Sequence, residues 1–270
     1  MLVRADLHNH FTTKSKVLDP NRVAHTVREK LGVGGICALV NYQDQRYEAF
    51  AERAEQACTS SVNLGNAISF WDGDVLIIKG QEIPTEAGDL LVLGLDENVH
   101  LPKGKSLEYS ISDAHERGGI VIITTPFYRS AVGRKLYDNP KIMLKVHAIE
   151  THDGEAPCSA NSRAADFYRT WKNVYPHLGR LSNSDGHAFN EIGSSYTSLE
   201  MSRDDYSCGS KLVDDLKSSL LLTSSVDDCH HRAHSLLGSL VHKGILAPMV
   251  LLGKAGIQLS KGDREALLSN

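Results

Sequence analysis

The stretch RADLHNHFTT, residues 4–13, places His8 and His10 two residues apart, directly after the carboxylate of Asp6. In a β-strand, side chains at positions i and i+2 lie on the same face. A strand through this stretch would therefore direct both imidazoles to one side, which is the arrangement that a metal ion requires. A surface strand could hold the same pair by chance, so the rest of the chain has to decide.

Segments of helical and strand character alternate along the remainder of the chain. Helices show apolar residues at helical spacing, whereas strands are short apolar runs. The predicted helices lie within residues 19–35, 45–58, 106–119, 160–173, 210–219 and 230–243. After the first strand, further strands are predicted at 34–40, 75–82, 89–95, 120–125, 144–150 and 179–185. Repeated βα units predict a mostly parallel sheet covered by helices, and both a barrel and an open doubly wound sheet satisfy this pattern.

The composition describes an ordinary globular chain. Its 270 residues are 41% hydrophobic and 23% charged, with a formal net charge of −4. The acidic balance disfavours, without excluding, a nucleic-acid partner. No linker divides the chain, so we predict one domain over residues 1–270. The absence of a signal peptide and of a long apolar run predicts a cytoplasmic protein that does not associate with a membrane, in which the five scattered cysteines are reduced.

Imidazoles and carboxylates collect where the predicted strands end. In parallel α/β folds, functional residues lie at the carboxyl ends of strands. Four predicted strands end in this way, and the residues concerned are His8, His10, Glu82, Glu150, His152, Asp185 and His187. A mixed set of nitrogen and oxygen ligands suits Zn²⁺, Mn²⁺ or Fe²⁺, whereas Mg²⁺ and Ca²⁺ prefer oxygen alone. Together these residues predict a transition-metal site at one rim.

Taken in order, the motifs resemble those of the PHP (polymerase and histidinol phosphatase) family. The similar segments are DLHNH (6–10), GQE (80–82), GDLLVLGL (88–95), GGIVIITTPF (118–127), AIETHDG (148–154) and SNSDGHAFNEIGSSYT (182–197). The pairing of DLHNH with a distant SDGH is the specific part. The resemblance covers residues 3–225 and implies an α/β fold, a distorted (β/α)7 TIM-like barrel; helical segments are predicted over residues 226–270. It also implies metal-dependent hydrolysis of phosphate esters.

The resemblance also implies roles for individual residues. The family holds up to three metal ions. One complete metal site would be formed here by His8, His10, Glu82 and Asp185, and His187 would belong to the third metal site. Glu150 matches a late glutamate of the family. The family's remaining ligand positions hold other residues here: Asn41 and Tyr42 after the second strand, TTKSKV in the first loop, Asp89, and Thr125. This reduced set predicts one ion per chain, with Asp6, Asp89, His152 and Asn41 as candidate further ligands.

With one ion, a bound water of lowered pKa would attack an ester that the same ion polarises. His187 and Glu150 are the candidate catalytic groups that would move a proton or orient this water. A small phosphorylated substrate is predicted. The candidates for binding its anionic group are Lys14, Lys16, Arg129 and Arg163.

Two other functions compete with this prediction. Amidohydrolases also begin with a histidine pair on the first strand, but they usually add a modified lysine, and no lysine here follows a matching strand. Alternatively, the missing ligands indicate a barrel that has lost catalysis and acts as a binding or scaffold subunit.

Overall fold

The computed structural model describes residues 1–11, 19–42, 45–57, 60–128, 132–202, 208–223 and 229–231. The strands are β1 (Leu2–Asp6), β2 (Gly35–Asn41), β3 (Ser61–Asn63), β4 (Ala67–Phe70), β5 (Val75–Thr85), β6 (Gly88–Leu93), β7 (Ile120–Ile123), β8 (Ala148–Asp153), β9 (Gly179–Asn183), β10 (Ser195–Glu200) and β11 (Cys229–His231). The helices are α1 (Pro20–Leu31), α2 (Arg46–Ala57), α3 (Leu107–Glu116), α4 (Val132–Asp138), α5 (Cys158–Trp171) and α6 (Gly209–Leu220), with short 3₁₀ helices at Pro140–Lys145 and Phe189–Glu191. Among the described residues, no helix is long and apolar enough to span a membrane.

Eight strands form a nearly closed barrel in the order β10-β1-β2-β5-β6-β7-β8-β9. The strands β1, β2, β5, β7, β8 and β9 run in one direction, whereas β6 and β10 run against their neighbours. The long strand β5 pairs through its first half with β4 and through its second half with β6. The carboxyl ends of the six co-directional strands meet at one edge of the barrel, called here the carboxyl rim.

Strand β2 shows why the apolar runs become barrel strands. All seven of its residues are buried. Ile36, Ala38 and Val40 belong to the cluster that fills the barrel interior, while Cys37 and Leu39 pack outward in the cluster beneath the helices. A strand that is covered on both faces has no need for polar alternation, and each buried Ile, Leu or Val side chain contributes about 1.5–3 kcal/mol of transfer free energy.

Helix α1 begins as its sequence predicts. The Asp19 side chain caps the helix by accepting hydrogen bonds from the backbone N–H groups of Asn21 and Arg22, and Pro20 occupies the first helical position, where it displaces no hydrogen bond. The buried face consists of Pro20, Val23, Ala24, Val27 and Leu31. This face covers the outer side of β2 and β5.

Helix α6 closes the end of the barrel opposite the carboxyl rim. Its residues Leu212, Val213, Leu216 and Leu220 belong to the interior cluster. The helix ends so close to the start of β9 that a Cβ atom at Gly179 would lie 2.4 Å from the Leu220 carbonyl oxygen. Only glycine permits this approach.

The barrel closes through side chains rather than through a continuous ladder. Between β9 and β10, the Thr197 hydroxyl accepts from the Ser182 N–H at 2.9 Å and donates to the Ser182 carbonyl at 3.1 Å. At the carboxyl rim, Asp6 accepts from the N–H of Ser184 at 3.0 Å, from its hydroxyl at 2.7 Å and from the N–H of Gly193 at 2.7 Å. Burial raises the pKa of Asp6, and these hydrogen bonds oppose that rise. Asp6 therefore joins β1 to the segment that follows β9.

The predicted α/β barrel is confirmed, with local differences. The sheet is mixed rather than mostly parallel, because β6 runs antiparallel to β5 and β7, and β10 runs antiparallel to β1. Strands β3, β4 and β10 were not predicted; SYTSLE, which forms β10, buries alternate residues and two of these are small and polar. The helix predicted at 230–243 is contradicted where β11 occupies Cys229–His231, and the rest of 226–270 lies outside the described residues.

Candidate metal centre

Four side chains converge at the carboxyl rim: His8, His10, Glu82 and Asp185. The Nε2 atoms of the two histidines are 3.1 Å apart. One carboxylate oxygen of Glu82 lies 3.7 Å from His8 Nε2, and the other lies 3.1 Å from His10 Nε2. Asp185 Oδ1 lies 3.7 Å and 3.6 Å from the same two nitrogens. A tetrahedral Zn²⁺ with bonds of about 2.0–2.1 Å separates its ligand atoms by about 3.3 Å. These separations lie on both sides of that spacing, and ligand atoms of His8, His10 and Glu82 all lie within 4.8 Å of one another.

The histidine pair lies just beyond β1. The chain remains extended there, because Asn9 forms a parallel bridge with Gly186 and its carbonyl accepts from the Val40 N–H at 2.9 Å. The His10 N–H also donates to the Gly186 carbonyl at 2.7 Å. The extended backbone places His8 and His10 on one face, as the spacing predicts.

Asp185 gives the clearest indication that this cluster can hold a cation. Its Oδ1 atom is buried and accepts no hydrogen bond from the described residues, although a buried carboxylate oxygen is costly without a donor or a cation. Its φ of +49° lies in the left-handed region, which Asp tolerates better than most residues. The backbone turn thus directs an unsatisfied oxygen towards two imidazole nitrogens, and this donor set fits a divalent transition metal.

Glu150 lies behind His8 and orients it. One carboxylate oxygen is 3.2 Å from His8 Nδ1 and accepts from Asn183 Nδ2 at 2.8 Å. The other accepts from the Thr125 N–H at 3.1 Å. A carboxylate that receives the Nδ1 proton fixes the tautomer that leaves Nε2 available to a metal. These contacts suit a positioning role better than the predicted catalytic one.

The charges of the cluster shift the pKa values of its members. Burial is the largest influence on His8 and lowers its pKa, but Glu150, Asp185 and Glu82 outweigh it, so that the net pKa is well above the usual value. Burial raises the pKa of Glu82, but hydrogen bonds from both histidines outweigh it and the net pKa is lowered. The pKa of His10 is lowered, first by burial and further by the charges of His8 and Arg46, although Glu82 opposes this. A cation at Nε2 would replace the proton that these carboxylates favour on His8.

Asp153 is a buried carboxylate near this cluster that the sequence did not reveal. The register of β8 shifts between Glu150 and His152, and such a bulge re-aims the residues that follow it. Oxygen atoms of Asp153 and Glu150 and a nitrogen of His8 all lie within 4.8 Å of one another. Asp153 Oδ1 accepts from two backbone N–H groups, whereas Oδ2 is buried without a hydrogen-bond partner among the described residues. Burial, then the charge of Glu150, raises the pKa of Asp153 to about 8.

The candidate further ligands have different surroundings. Asn41 donates to Glu48 and accepts from the Tyr47 N–H, both at 2.9 Å, so its amide holds the start of α2. His152 Nδ1 lies 3.3 Å from the Asn161 side-chain amide. Asp6 is engaged in closing the barrel, and we include neither Asp6 nor Asn41 among the proposed ligands. Asp89 stands within electrostatic reach of the centre: burial and the charge of Glu82 raise its pKa to about 6, opposed by His8.

Other side chains surround His10. The His187 ring stacks on the His10 ring with centroids 5.1 Å apart, and its Nδ1 atom is 2.8 Å from the Asp185 carbonyl. The Tyr42 ring meets His10 edge-on at 6.4 Å. Arg46, which the sequence did not single out, donates from Nη1 to the His10 carbonyl at 2.9 Å.

Only one of the predicted anion-binding residues lies within the described structure. Arg163 is exposed on α5 and its guanidinium lies 4.9 Å from the centre of the Phe127 ring. Lys14, Lys16 and Arg129 lie outside the described residues. Their roles stay predictions.

Comparison with known proteins rests on the fold. No family model and no curated protein sequence matches the chain. Among solved structures, PsfC from Pseudomonas syringae PB-5123 is similar over 93% of this chain and 99% of its own, with a TM-score of 0.63 and 17% identity. A two-domain protein from Bacteroides vulgatus, described as containing a predicted PHP-like metal-dependent phosphoesterase, is similar over 87% of this chain and 65% of its own, with a TM-score of 0.52 and 17% identity. The fold is of the PHP type.

The lesion-specific endonuclease PfuEndoQ from Pyrococcus furiosus is a further similar structure. It is similar over 83% of this chain and 57% of its own length, with a TM-score of 0.58 and 16% identity. The chain therefore spans less than two thirds of the endonuclease and of the Bacteroides protein. These similarities, all at 17% identity or less, agree with the barrel fold that the motifs predict.

Proposed function

We propose that the protein is a metal-dependent phosphoesterase with one divalent transition-metal ion held by His8, His10, Glu82 and Asp185. The observation that supports this most strongly is the buried Asp185 Oδ1, which accepts no hydrogen bond within the described structure and faces two imidazole nitrogens at 3.6 and 3.7 Å. Four donors of mixed nitrogen and oxygen type suit Zn²⁺, Mn²⁺ or Fe²⁺. The PHP-type fold agrees with a general phosphoesterase activity.

The protein's own side chains would divide the work around this ion. When bound, the ion supplies an activated water and neutralises charge on the phosphate. Glu150 keeps the proton of His8 on Nδ1, so that Nε2 faces the ion. His187 donates from Nδ1 to the Asp185 carbonyl, and Nε2 is therefore the atom at which it would accept or deliver a proton.

One ion is favoured over a larger cluster by the contacts of the replaced family positions. The Asn41 amide is engaged with Glu48 and Tyr47. Thr125 contributes its backbone N–H to Glu150. Both positions support the protein scaffold instead of offering an imidazole to a second ion.

A small phosphate monoester is the preferred substrate. The four ligand side chains are recessed, since their exposed fractions are 2% for His8, 6% for His10, 14% for Glu82 and 19% for Asp185. A terminal phosphate can enter such a recess, whereas a phosphate within a duplex would require the nucleic acid to deform. Nucleic acid remains the second candidate because a lesion-specific endonuclease shares the fold.

Metal analysis is the first test. Protein reloaded with Mn²⁺ or Zn²⁺ should retain one ion per chain after desalting. His8→Ala and Asp185→Asn should lose the ion. In Asp185→Asn a neutral amide replaces the charged carboxylate, while Asn still tolerates the left-handed backbone conformation. His25→Ala, on an exposed position of α1, is the matched control and should retain the ion. If the parent protein binds no ion under these conditions, the proposed hydrolase function is wrong and a binding or scaffold subunit is favoured.

Substrate class requires a second assay. The metal-loaded protein should hydrolyse an aryl phosphate monoester faster than the bis-aryl diester and faster than it nicks a duplex with an abasic site. If the protein cleaves only the duplex, it would be assigned as a nuclease and not as a hydrolase of small phosphate esters. Cleavage of an aryl amide alone would instead favour the amidohydrolase alternative. A cytoplasmic location stays a prediction.

A further inference from the structure

Glu191 is a buried carboxylate that holds the loop after β9. The residue is 8% exposed, and its Oε2 atom accepts from the backbone N–H of His187 at 2.9 Å and from that of Ala188 at 3.0 Å. Its own N–H donates to the Ala188 carbonyl at 3.0 Å. Successive backbone N–H groups that converge on one point form an anion-binding turn, and here the anion belongs to the protein itself.

The two hydrogen bonds of Oε2 fix the backbone on both sides of His187. One is formed with the peptide group that precedes the His187 Cα atom, and the other with the peptide group that follows it. Each peptide group is planar, so only the two dihedral angles at this Cα atom are soft. Holding both planes sets the direction of the Cα–Cβ bond, whereas a contact with one plane would leave the side chain able to rotate about the backbone.

Two further contacts complete the placement of the His187 ring. Its Nδ1 atom lies 2.8 Å from the Asp185 carbonyl, and the ring stacks on that of His10 with the ring planes 28° apart. The backbone and the ring of His187 are thus anchored separately, and Glu191 provides the backbone anchor.

The ligand Asp185 is held by other groups. The N–H of the next residue, Gly186, donates to the Ser184 hydroxyl at 3.1 Å, and its carbonyl accepts from the His10 N–H at 2.7 Å. Within the described structure, the carboxylate of Glu191 forms hydrogen bonds with the N–H groups of His187 and Ala188 alone. Removing this carboxylate should therefore displace His187 and leave the proposed metal site in place.

We infer that Glu191 is a positioning residue, which acts through His187 and holds its imidazole beside the metal centre. This role rests on the proposed phosphoesterase function, in which His187 moves a proton. Glu191 itself meets neither the ion nor the substrate. Its effect on the reaction should therefore disappear when the imidazole of His187 is absent.

The test compares Glu191→Ala and Glu191→Gln with the parent in the Zn²⁺-loaded full chain, and both variants should retain one ion per chain. With an aryl phosphate, Glu191→Ala should lower kcat roughly 10- to 100-fold and change KM less than about 2-fold, because a displaced catalytic group slows the chemical step. Glu191→Gln should lose less than about 10-fold, because its amide oxygen can still accept from both N–H groups. Hydrogen exchange followed by NMR needs no turnover: the amides of His187 and Ala188 should exchange about 10-fold faster in Glu191→Ala.

A double mutant separates positioning from a general structural role. His187→Ala should itself lower kcat, and adding Glu191→Ala to it should lower kcat no further. Losses that multiply would show that Glu191 only stabilises the loop, and they would overturn the positioning role. If Glu191→Ala does not fold, the same comparison is made with Glu191→Gln, whose smaller loss should also vanish in the His187→Ala chain.

Glu200→Ala is the matched control. Glu200 is the exposed last residue of β10, at the end of the barrel opposite the carboxyl rim, and its replacement should leave metal content, kcat and amide exchange unchanged. Loss of metal from folded Glu191→Gln, or parent-like kcat in Glu191→Ala or His187→Ala, overturns the positioning role and leaves the phosphoesterase function standing. If the parent binds metal but hydrolyses no ester, the proposed function fails and the positioning role falls with it.

Discussion

Replacing Asp6 by Asn tests whether this carboxylate closes the barrel or binds metal. The change is isosteric, but the carboxylate accepts from the Ser184 N–H, the Ser184 hydroxyl and the Gly193 N–H, all at 2.7 to 3.0 Å. An amide has one acceptor oxygen. In either orientation its NH₂ group would face a backbone N–H, which leaves buried donors unpaired.

The expected loss of stability follows from these contacts. An unsatisfied buried donor costs about 1–3 kcal/mol, and the charge-assisted hydrogen bonds are lost as well, so we expect about 3–5 kcal/mol in total. For a chain of this size, that corresponds to a fall in Tm of roughly 6–20 °C. Urea denaturation followed by circular dichroism measures the free energy of unfolding directly.

Asp19→Asn is the control for this change. Asp19 caps α1 at an exposed site, and Asn caps a helix about as well as Asp, so its stability should match that of the parent. At low temperature, folded Asp6→Asn should still bind one ion per chain. A loss below about 1 kcal/mol, which is the scale of one ordinary hydrogen bond, would refute the barrel-closing role. Loss of metal with unchanged stability would instead make Asp6 a ligand.

Three further predictions concern stability. Burial, assisted by nearby positive charges, lowers the pKa of His147 to about 4 from an unfolded value near 6.5, and Nδ1 accepts from the Val121 N–H at 2.9 Å. Between pH 4 and pH 6.5 the unfolded chain binds a proton at this residue and the folded chain does not. The contribution of His147 to the free energy of unfolding should therefore be complete above pH 6.5 and fall by about 2–3 kcal/mol as the pH drops to 4, after allowance for partial exposure. His147→Asn, which keeps an acceptor, should flatten this part of the curve of stability against pH. Thr197→Val should cost about 1–3 kcal/mol in urea denaturation because it removes two buried hydrogen bonds with the backbone of Ser182. Thr170→Val on the exposed face of α5 should cost little, and equal losses would count against the closure described above. Metal at 100 times its Kd should raise the free energy of unfolding by about 2.7 kcal/mol, and a chelator should remove that gain in a thermal scan; an unchanged Tm would argue against a folded-state site.

Much of the fold could be predicted because local signals agreed with the tertiary structure. The cap at Asp19 and the uninterrupted apolar run of β2 identified a helix and a buried strand from neighbouring residues alone. Strand β10 gave no such signal, since Thr197 contributes a hydroxyl to the barrel closure and the strand lacks a continuous apolar run. Its pairing with β1 joins residues that are far apart in the sequence, such as Leu2 and Glu200.

The convergence of the candidate ligand residues could be predicted for a related reason. His8, His10, Glu82 and Asp185 stand at or near the ends of strands that the pattern identifies. Asp153 was missed because its approach to Glu150 depends on the register shift in β8, which no short-range pattern encodes. Arg46 was missed because only the folded barrel brings α2 beside the His10 carbonyl.

The closure at Asp6 has a consequence for how the protein would acquire the proposed ion. Asp6 and Ser184 are 178 residues apart in the chain, and Gly193 lies 187 residues from Asp6, so the histidine pair and Asp185 meet only after most of the sequence has been synthesised. Contacts of such long range form slowly because ordering the intervening loop is entropically costly. The complete set of proposed ligands is thus a late product of folding, and a growing ribosome-bound chain would display the two histidines well before it could hold a metal through all four side chains. Metal retention would then report a finished barrel.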